Sequence, residues 1–119
     1  LKIDQVDINS NINDFKWRNR LLVYNQKNFI NYDEYQSYLN DFELLIFNIE
    51  DNYIYHKDIR ILLDVFLKNI NLNINYFLNN IAILIGKDGK IKANYNQSFK
   101  LSKVFTKIDS MPMRRLRKN

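Results

Sequence analysis

The absence of cysteine limits the possible chemistry of this chain more than any other feature of its composition. None of its 119 residues is cysteine, so disulfides, thiolate metal sites and thiol redox steps are excluded. The only histidine, His56, has Glu50, Asp51 and Asp58 as nearby acidic residues in the sequence. A metal site would require the imidazole and these carboxylates to converge, and their spacing matches no ligand motif. We therefore predict a solvated loop histidine, and we expect neither a metal nor a cofactor.

Nucleophilic catalysis and phosphate-loop binding also lack a motif. None of the five serines lies in a nucleophile-elbow sequence, and the chain offers one candidate base. The segment Gly86-Lys87-Asp88-Gly89-Lys90 lacks the spacing of a phosphate-binding loop and precedes a strand instead of a helix. We predict that it forms a β-hairpin turn, because Asp-Gly supplies the positive φ angles that such turns require.

Positive charge in the last third of the chain is the strongest binding signal. Residues 84–119 hold ten Lys or Arg and two Asp, whereas residues 1–83 hold eight basic and eleven acidic side chains. Lys100, Lys103 and Lys107 follow helical spacing and would form one exposed stripe. A denser basic group follows in the tail: Arg114, Arg115, Arg117 and Lys118. Phosphate, sulfated glycan or anionic headgroups suit such a surface. A solvated helix face with a frayed tail is the alternative interpretation.

The elements that would position these groups alternate between strands and helices. Leu21–Tyr24 and Leu44–Ile49 are nearly continuous apolar runs, typical of parallel strands buried on both faces. Between them the apolar residues follow helical spacing: Phe29, Tyr32, Tyr35, Leu39 and Phe42. A second helix is predicted after Asp58, which can cap it. Its apolar positions are Ile59, Leu62, Leu63, Phe66, Leu67 and Ile70.

The C-terminal part predicts a strand, a returning strand and a last helix. Ile81–Ile85 precedes the Gly-Lys-Asp-Gly turn, and Ile91–Tyr95 returns antiparallel. Ser98 can cap the helix that follows, and Pro112 ends it. Its inward residues are Leu101, Val104, Phe105 and Ile108. We treat residues 1–119 as a single domain. It has a polar lead-in over residues 1–16, which can add an edge strand, and a basic tail over 110–119.

This order of elements predicts an α/β fold of thioredoxin type. We expect three layers and a central mixed sheet of about four strands, with a C-terminal β-hairpin and helix. A thioredoxin carries its reactive thiol where the first strand meets the first helix, and a cis-proline before the third strand. Asn79-Asn80 stand at the proline position, so a dithiol reductase or peroxidase is excluded. The junction residues are Asn25, Gln26, Lys27 and Asn28. They can hold an anion or a peptide backbone, although we prefer an ordinary capped loop.

Several segments resemble a known domain of unknown function. They are Trp17 with Arg20–Tyr24, Gln36 with Leu39, the Gly86–Gly89 turn, and the string Ile108–Arg114. The domain occurs in bacterial envelope proteins and at the end of vertebrate sushi-repeat matrix proteins, the P-DUDES family. The resemblance covers roughly residues 15–115. It implies a thioredoxin-like, peroxiredoxin-related fold and a periplasmic or secreted location. It implies no established activity.

The leading hypothesis is a redox-inactive binding module of the cell envelope or exterior. Its expected partner is a protein or an anionic surface polymer. One alternative is a hydrolase or transferase that uses loop carboxylates or His56. Another is attachment to a polyanion through the basic tail, with nucleic acid the less favoured choice. The chain opens at Leu1, which fits either a removed signal peptide or a shortened sequence. No apolar run approaches the ~18 residues that a membrane span needs.

Overall fold

Two parallel strands form the centre of the sheet. A computed structural model describes residues 6–25, 32–70, 74–96 and 99–112. Strand β1 (Arg20–Tyr24) pairs in parallel with β2 (Leu44–Glu50), and helix α1 (Tyr32–Phe42) lies between them in the sequence. Every residue of β1 is buried, as the apolar run predicts for a strand that is covered on both faces. The parallel pair of strands is therefore confirmed.

The predicted C-terminal hairpin is also confirmed. Strand β5 (Ala82–Ile85) pairs antiparallel with β1, and β6 (Ile91–Tyr95) pairs antiparallel with β5. In the turn between them only Gly89 has a positive φ, +81°, so Asp88 does not adopt the left-handed conformation that we expected. The sheet order is β4-β3-β2-β1-β5-β6. The described part of the chain therefore contributes six strands to the sheet, and the expected count of about four is wrong.

The helix predicted after Asp58 is wrong. Strands β3 (Tyr53–His56) and β4 (Ile59–Leu62) form an antiparallel hairpin there, followed by the four-residue helix α2 (Leu63–Phe66). Burial alternates along the hairpin, and Ile54 is paired with Ile61. β-Branched and aromatic side chains favour such a half-buried strand. The three- and four-residue spacing arises because a strand with period two runs directly into a short helix.

The remaining helices are short. Helix α3 (Ile74–Leu78) precedes β5, and α4 (Leu101–Asp109) follows β6. Lys100 is the N-cap of α4 and makes no side-chain capping bond, while the predicted cap Ser98 lies outside the described residues. The helix ends at Asp109 with Ser110 as its C-cap, so it stops before Pro112 is reached.

The lead-in forms a helical turn instead of an edge strand. Residues 6–16 contain a 3₁₀-helix over Ile12–Phe15, and residues 1–5 lie outside the description. Asn11 and Asp14 form a reciprocal capping box at its start. The buried side chains of Ile12 and Phe15 attach this turn to the core, so the predicted edge strand is wrong for these residues.

Helices cover both faces of the sheet and create two apolar cores. On one face α1 and α4 pack against β1, β2 and β5 through Leu22, Leu39, Phe42, Ile46, Leu84, Val104 and Ile108. On the other face the 3₁₀-helix, α2 and α3 pack through Phe15, Val23, Phe47, Ile61, Phe66, Phe77 and Ile83. The expected three layers and mixed sheet are therefore present. Among the described residues, no helix has the length and apolar character to span a bilayer.

Candidate functional site

A groove forms where two segments distant in the sequence meet. The turn between β5 and β6 lies beside the residues that follow α4, and the start of β1 closes the floor. The groove encloses about 410 Å³. Its described lining consists of Arg20, Gly86, Lys87, Asp88, Lys92, Lys107, Ser110, Met111 and Pro112. Four cationic side chains and one carboxylate line it, so its electrostatic character is basic.

Glycine at position 86 lets a surface ion pair lie across the turn. A Cβ atom there would lie 2.5 Å from Lys92 Cε and 3.1 Å from Asp88 Oδ1. The ammonium of Lys92 donates to Asp88 Oδ2 over 2.8 Å, and the backbone N–H of Lys90 donates to Asp88 Oδ1 over 3.0 Å. Any larger residue at position 86 would displace Lys92 from this position.

The Asp88 carboxyl is held in its charged form. Burial alone raises the pKa of this group, but the hydrogen bonds from Lys92 and from the Lys90 backbone lower it. The charges of both lysines act in the same direction, and the net result is a pKa below the ordinary value. Asp88 therefore stays ionised in weak acid and keeps Lys92 in place at the groove wall.

A second ion pair anchors the other side of the groove. The ammonium of Lys87, whose residue is only 9% exposed, is paired with the carboxylate of Glu43. Glu43 follows α1 with a φ of +52°, a conformation that non-glycine residues seldom adopt. The carbonyl of Lys87 accepts a bond of 2.6 Å from the backbone N–H of Trp17. Removing one partner of such a buried pair is costly, since the other charge is left buried.

Arg20 brings a buried guanidinium to the groove floor. Its residue is 2% exposed, and Nη1 donates to the carbonyl oxygen of Phe42 over 2.8 Å. Its backbone N–H donates to the carbonyl of Glu43 over 2.8 Å. These bonds tie the start of β1 to the end of α1. The sequence offered a signal for this residue, because an arginine begins an otherwise apolar central strand.

A comparison with protein-family models matches residues 11–117 to a domain of unknown function, DUF4174. The chain belongs to this family. Neither the comparison with curated proteins nor the comparison with solved structures gives a match. The match covers both segments that meet at the groove, the Gly-Lys-Asp-Gly turn and the residues after α4.

The predicted basic stripe of the DUF4174 domain is divided between two hollows. Lys107 lines the groove, whereas Lys100 lies beside a second hollow with Tyr35, Tyr38 and Phe105. Lys103 is exposed on α4 and lines neither of these hollows. The tail residues of the same prediction lie outside the described residues: Arg114, Arg115, Arg117 and Lys118. The stripe is thus exposed, as predicted, but only Lys107 joins the groove.

The junction after β1 in the DUF4174 domain shows a structural role for Asn25. Its Nδ2 donates to the carbonyl oxygens of Phe77 and Leu78 at the end of α3, each over 3.0 Å. Its backbone N–H donates to the carbonyl of Ile81. The other predicted junction residues lie outside the described residues: Gln26, Lys27 and Asn28.

His56 does not lie in a solvated loop, so that prediction is wrong. It ends strand β3, is 5% exposed, and places Nδ1 3.0 Å from the carbonyl oxygen of Ile46. Glu50 and Asp51 lie at the opposite end of the β2–β3 hairpin. The described part of the DUF4174 domain contains no cluster of three or more residues that could hold a metal ion.

A smaller cavity of the DUF4174 domain was not foreseen from the sequence. It encloses about 110 Å³ between α1, β2 and the end of β3. Asn19 lines it, is 2% exposed, and makes no hydrogen bond through Oδ1 or Nδ2 with any described residue. Such an unpaired buried group costs about 1–3 kcal/mol. No local pattern marks Asn19, because its burial results from elements that are distant in the sequence.

Proposed function

We propose that this DUF4174 domain is a binding module without thiol chemistry that captures an anionic polymer in the basic groove. The single observation that supports it is the lining of the groove, with Arg20, Lys87, Lys92 and Lys107 against Asp88. Phosphate or sulfate groups are the ligands that several lysines and an arginine recognise best. The chain continues from Pro112 into the basic tail, which would add charge to the same interaction.

The proposal includes a thioredoxin-like, peroxiredoxin-related fold. Its support is the order β2-β1-β5-β6, with β1 and β2 parallel and β5 antiparallel to β1. Helices α1 and α4 on one face of these strands match the same arrangement. The β3–β4 hairpin then extends the edge of the four-strand core. The P-DUDES resemblance and a periplasmic or secreted location belong to the same proposal.

A sulfated-polymer column tests this function directly. We expect retention on immobilised dextran sulfate that falls steeply as salt rises, because binding releases counterions. Lys107→Gln should elute at lower salt and reduce the slope of log affinity against log salt by about 1. Lys68→Gln is the matched control, since it removes the same charge at an exposed position outside the groove.

Two further comparisons separate the groove from simpler explanations. Retention on the column is also measured after four tail residues are replaced by glutamine: Arg114, Arg115, Arg117 and Lys118. The loss of retention gives the contribution of the tail. Equal elution shifts for Lys107→Gln and Lys68→Gln would contradict specific binding of the polymer in the groove. Competition by single-stranded DNA as strong as that by dextran sulfate would favour general polyanion attachment instead.

A further inference from the structure

The single tryptophan of the chain lies largely in solvent at the rim of the basic groove. Trp17 is 63% exposed. Its backbone N–H donates to the carbonyl of Lys87, which is one of the lining residues of the groove, so the backbone of Trp17 is fixed beside the groove wall. An indole stabilises a fold mainly through the apolar surface that it buries. A side chain with this exposure therefore contributes little to the stability of the domain.

The backbone of Trp17 also adopts an unfavourable conformation. Its φ is +66°, in the left-handed region that bulky residues seldom adopt and that glycine and asparagine adopt more readily. The turn that holds it is closed by the N–H groups of Arg18 and Asn19, which both donate to the carbonyl of Phe15. Neither the backbone nor the packing of this position therefore favours an aromatic residue. Exposed residues in such a conformation are found at ligand sites, so contact with a ligand is the remaining role for the indole.

Cationic side chains lie on two sides of the turn to which Trp17 is bonded. On one side the groove is lined by Lys92 and Lys107. On the other side Lys16 and Lys90, both exposed, line a second hollow of about 510 Å³. The two hollows belong to opposite faces of the sheet, and the β5–β6 turn is the ridge between them. A long anionic chain can therefore cross this ridge beside Trp17 and contact lysines in both hollows.

We propose that the anionic polymer is a glycan and that Trp17 stacks on one of its sugar rings. This inference rests on the proposed function of the groove. The C–H groups on one face of a pyranose ring carry partial positive charge and complement the negative face of an indole. Sulfate, phosphate or carboxylate substituents on the glycan would bind the lysines. A single-stranded nucleic acid is less suited, because it stacks on successive aromatic side chains and the described lining of the groove contains none.

Titration of the wild-type protein with three polymers separates the sugar ring from the charge. Dextran sulfate carries both, poly(vinyl sulfate) carries the charge without a ring, and neutral dextran carries the ring without charge. The fluorescence of Trp17 reports contact directly, since the chain has no other indole. We expect a saturable shift of its emission to shorter wavelength with dextran sulfate, because the sugar ring displaces water from the indole. An equal shift with poly(vinyl sulfate), or no shift with dextran sulfate, would overturn the proposal.

Substitution of Trp17 tests the role of the ring by calorimetric titration. Trp17→Asn removes the ring and suits the left-handed backbone, so the fold should be kept. Its affinity for dextran sulfate should fall at least about threefold, whereas its affinity for poly(vinyl sulfate) should be unchanged. Trp17→Tyr keeps an aromatic ring and should restore most of the loss. Ile8→Asn, at a position that is 66% exposed and outside the groove lining, is the control and should change neither affinity. Equal losses for both polymers in Trp17→Asn would overturn the proposal.

Failure of this inference can be distinguished from failure of the proposed function. Lys107→Gln should lower the affinity for both sulfated polymers, because it removes a cation of the groove. If it does so while Trp17→Asn changes neither affinity, the groove binds the polymer but the assignment to a glycan is wrong. If Lys107→Gln has only the effect of Lys68→Gln, the groove itself is wrong, and this inference fails with it. An emission shift with single-stranded poly(dT) as large as that with dextran sulfate would identify a nucleic acid as the stacking partner and would also overturn the proposal.

Discussion

At the residue scale, the groove depends on ion pairs that hold long side chains in place. Asp88 accepts from the side chain of Lys92 and from the backbone of Lys90, while Glu43 holds Lys87. Exposed lysines lose conformational freedom when they bind a ligand, and a prior contact reduces that loss. The two carboxylates thus act as positioning groups for the cationic wall.

Because Asp88 is held in its charged form, we predict that its contribution to the free energy of unfolding is lost at acid pH. Its folded pKa lies below its unfolded value of about 3.9, so the charged form stabilises the fold. That contribution is present above the unfolded pKa and is lost as pH falls through the lower folded pKa. Asp88→Asn should reduce the free energy of unfolding at pH 7 by less than about 1 kcal/mol. It should also flatten the decline below about pH 4.

Urea unfolding at pH 7 and at pH 3 measures this effect. Lys92→Gln should flatten the same decline, because it removes the main partner of the carboxylate. The double variant should add little to either single one. If the free energies of unfolding of wild type and Asp88→Asn differ by the same amount at pH 7 and at pH 3, this pair does not contribute to acid stability.

At the element scale, the apolar residues in 53–66 fit the spacing of a helix, although most of this segment forms a β-hairpin. Helical spacing after Asp58 would bury Leu62 and expose Ile61. In the β3–β4 hairpin Ile61 is fully buried and Leu62 is 51% exposed. Lys57 makes the tight turn possible with a φ of +55°. The guanidinium of Arg60 lies 4.4 Å from the centre of the Tyr53 ring and supports the pairing of the strands.

Alanine substitutions at Ile61 and Leu62 distinguish the β3–β4 hairpin from the predicted helix. Ile61→Ala should lower the free energy of unfolding by about 2–5 kcal/mol, because it leaves a cavity among fully buried side chains. Leu62→Ala should cost less than about 1 kcal/mol, because half of the side chain is already in solvent. Denaturant unfolding of both variants gives the ranking. A larger loss for Leu62→Ala than for Ile61→Ala would contradict the hairpin.

At the scale of the whole molecule, one sheet separates two cores that share its strands. Phe47 faces the core built with α2 and α3, while Val104 of α4 lies in the core on the opposite face. Successive residues of β1 and β2 alternate between these cores. Loss of either core would expose apolar strand residues on that face, so we expect the domain to unfold as one cooperative unit.

Paired substitutions across the sheet test this expectation. Phe47→Leu and Val104→Ala should each reduce stability by about 1–3 kcal/mol. Since they act on opposite faces, the double variant should show the sum within about 0.5 kcal/mol. The fluorescence of Trp17 and far-ultraviolet circular dichroism should report one shared transition in every variant. Two separate transitions would mean that the cores unfold independently.

The sequence alone determined the features whose signals are local. Continuous apolar runs predicted β1 and β2, and the Gly-Lys-Asp-Gly segment predicted the β5–β6 turn. The absence of cysteine excluded thiol chemistry without any structure. These inferences hold because a continuous apolar run, a glycine that can adopt a positive φ, and the lack of a thiol are each properties of the local sequence.

Tertiary structure alone decided which distant residues meet. It paired Ile54 with Ile61, which turned an apparent helix into a hairpin, and it buried His56 against Ile46. It also placed the turn at Lys87 beside Met111 to form the groove. The pattern of residues along the sequence shows only which side chains are apolar or charged. Their burial and their partners are set by packing between elements that the sequence keeps far apart.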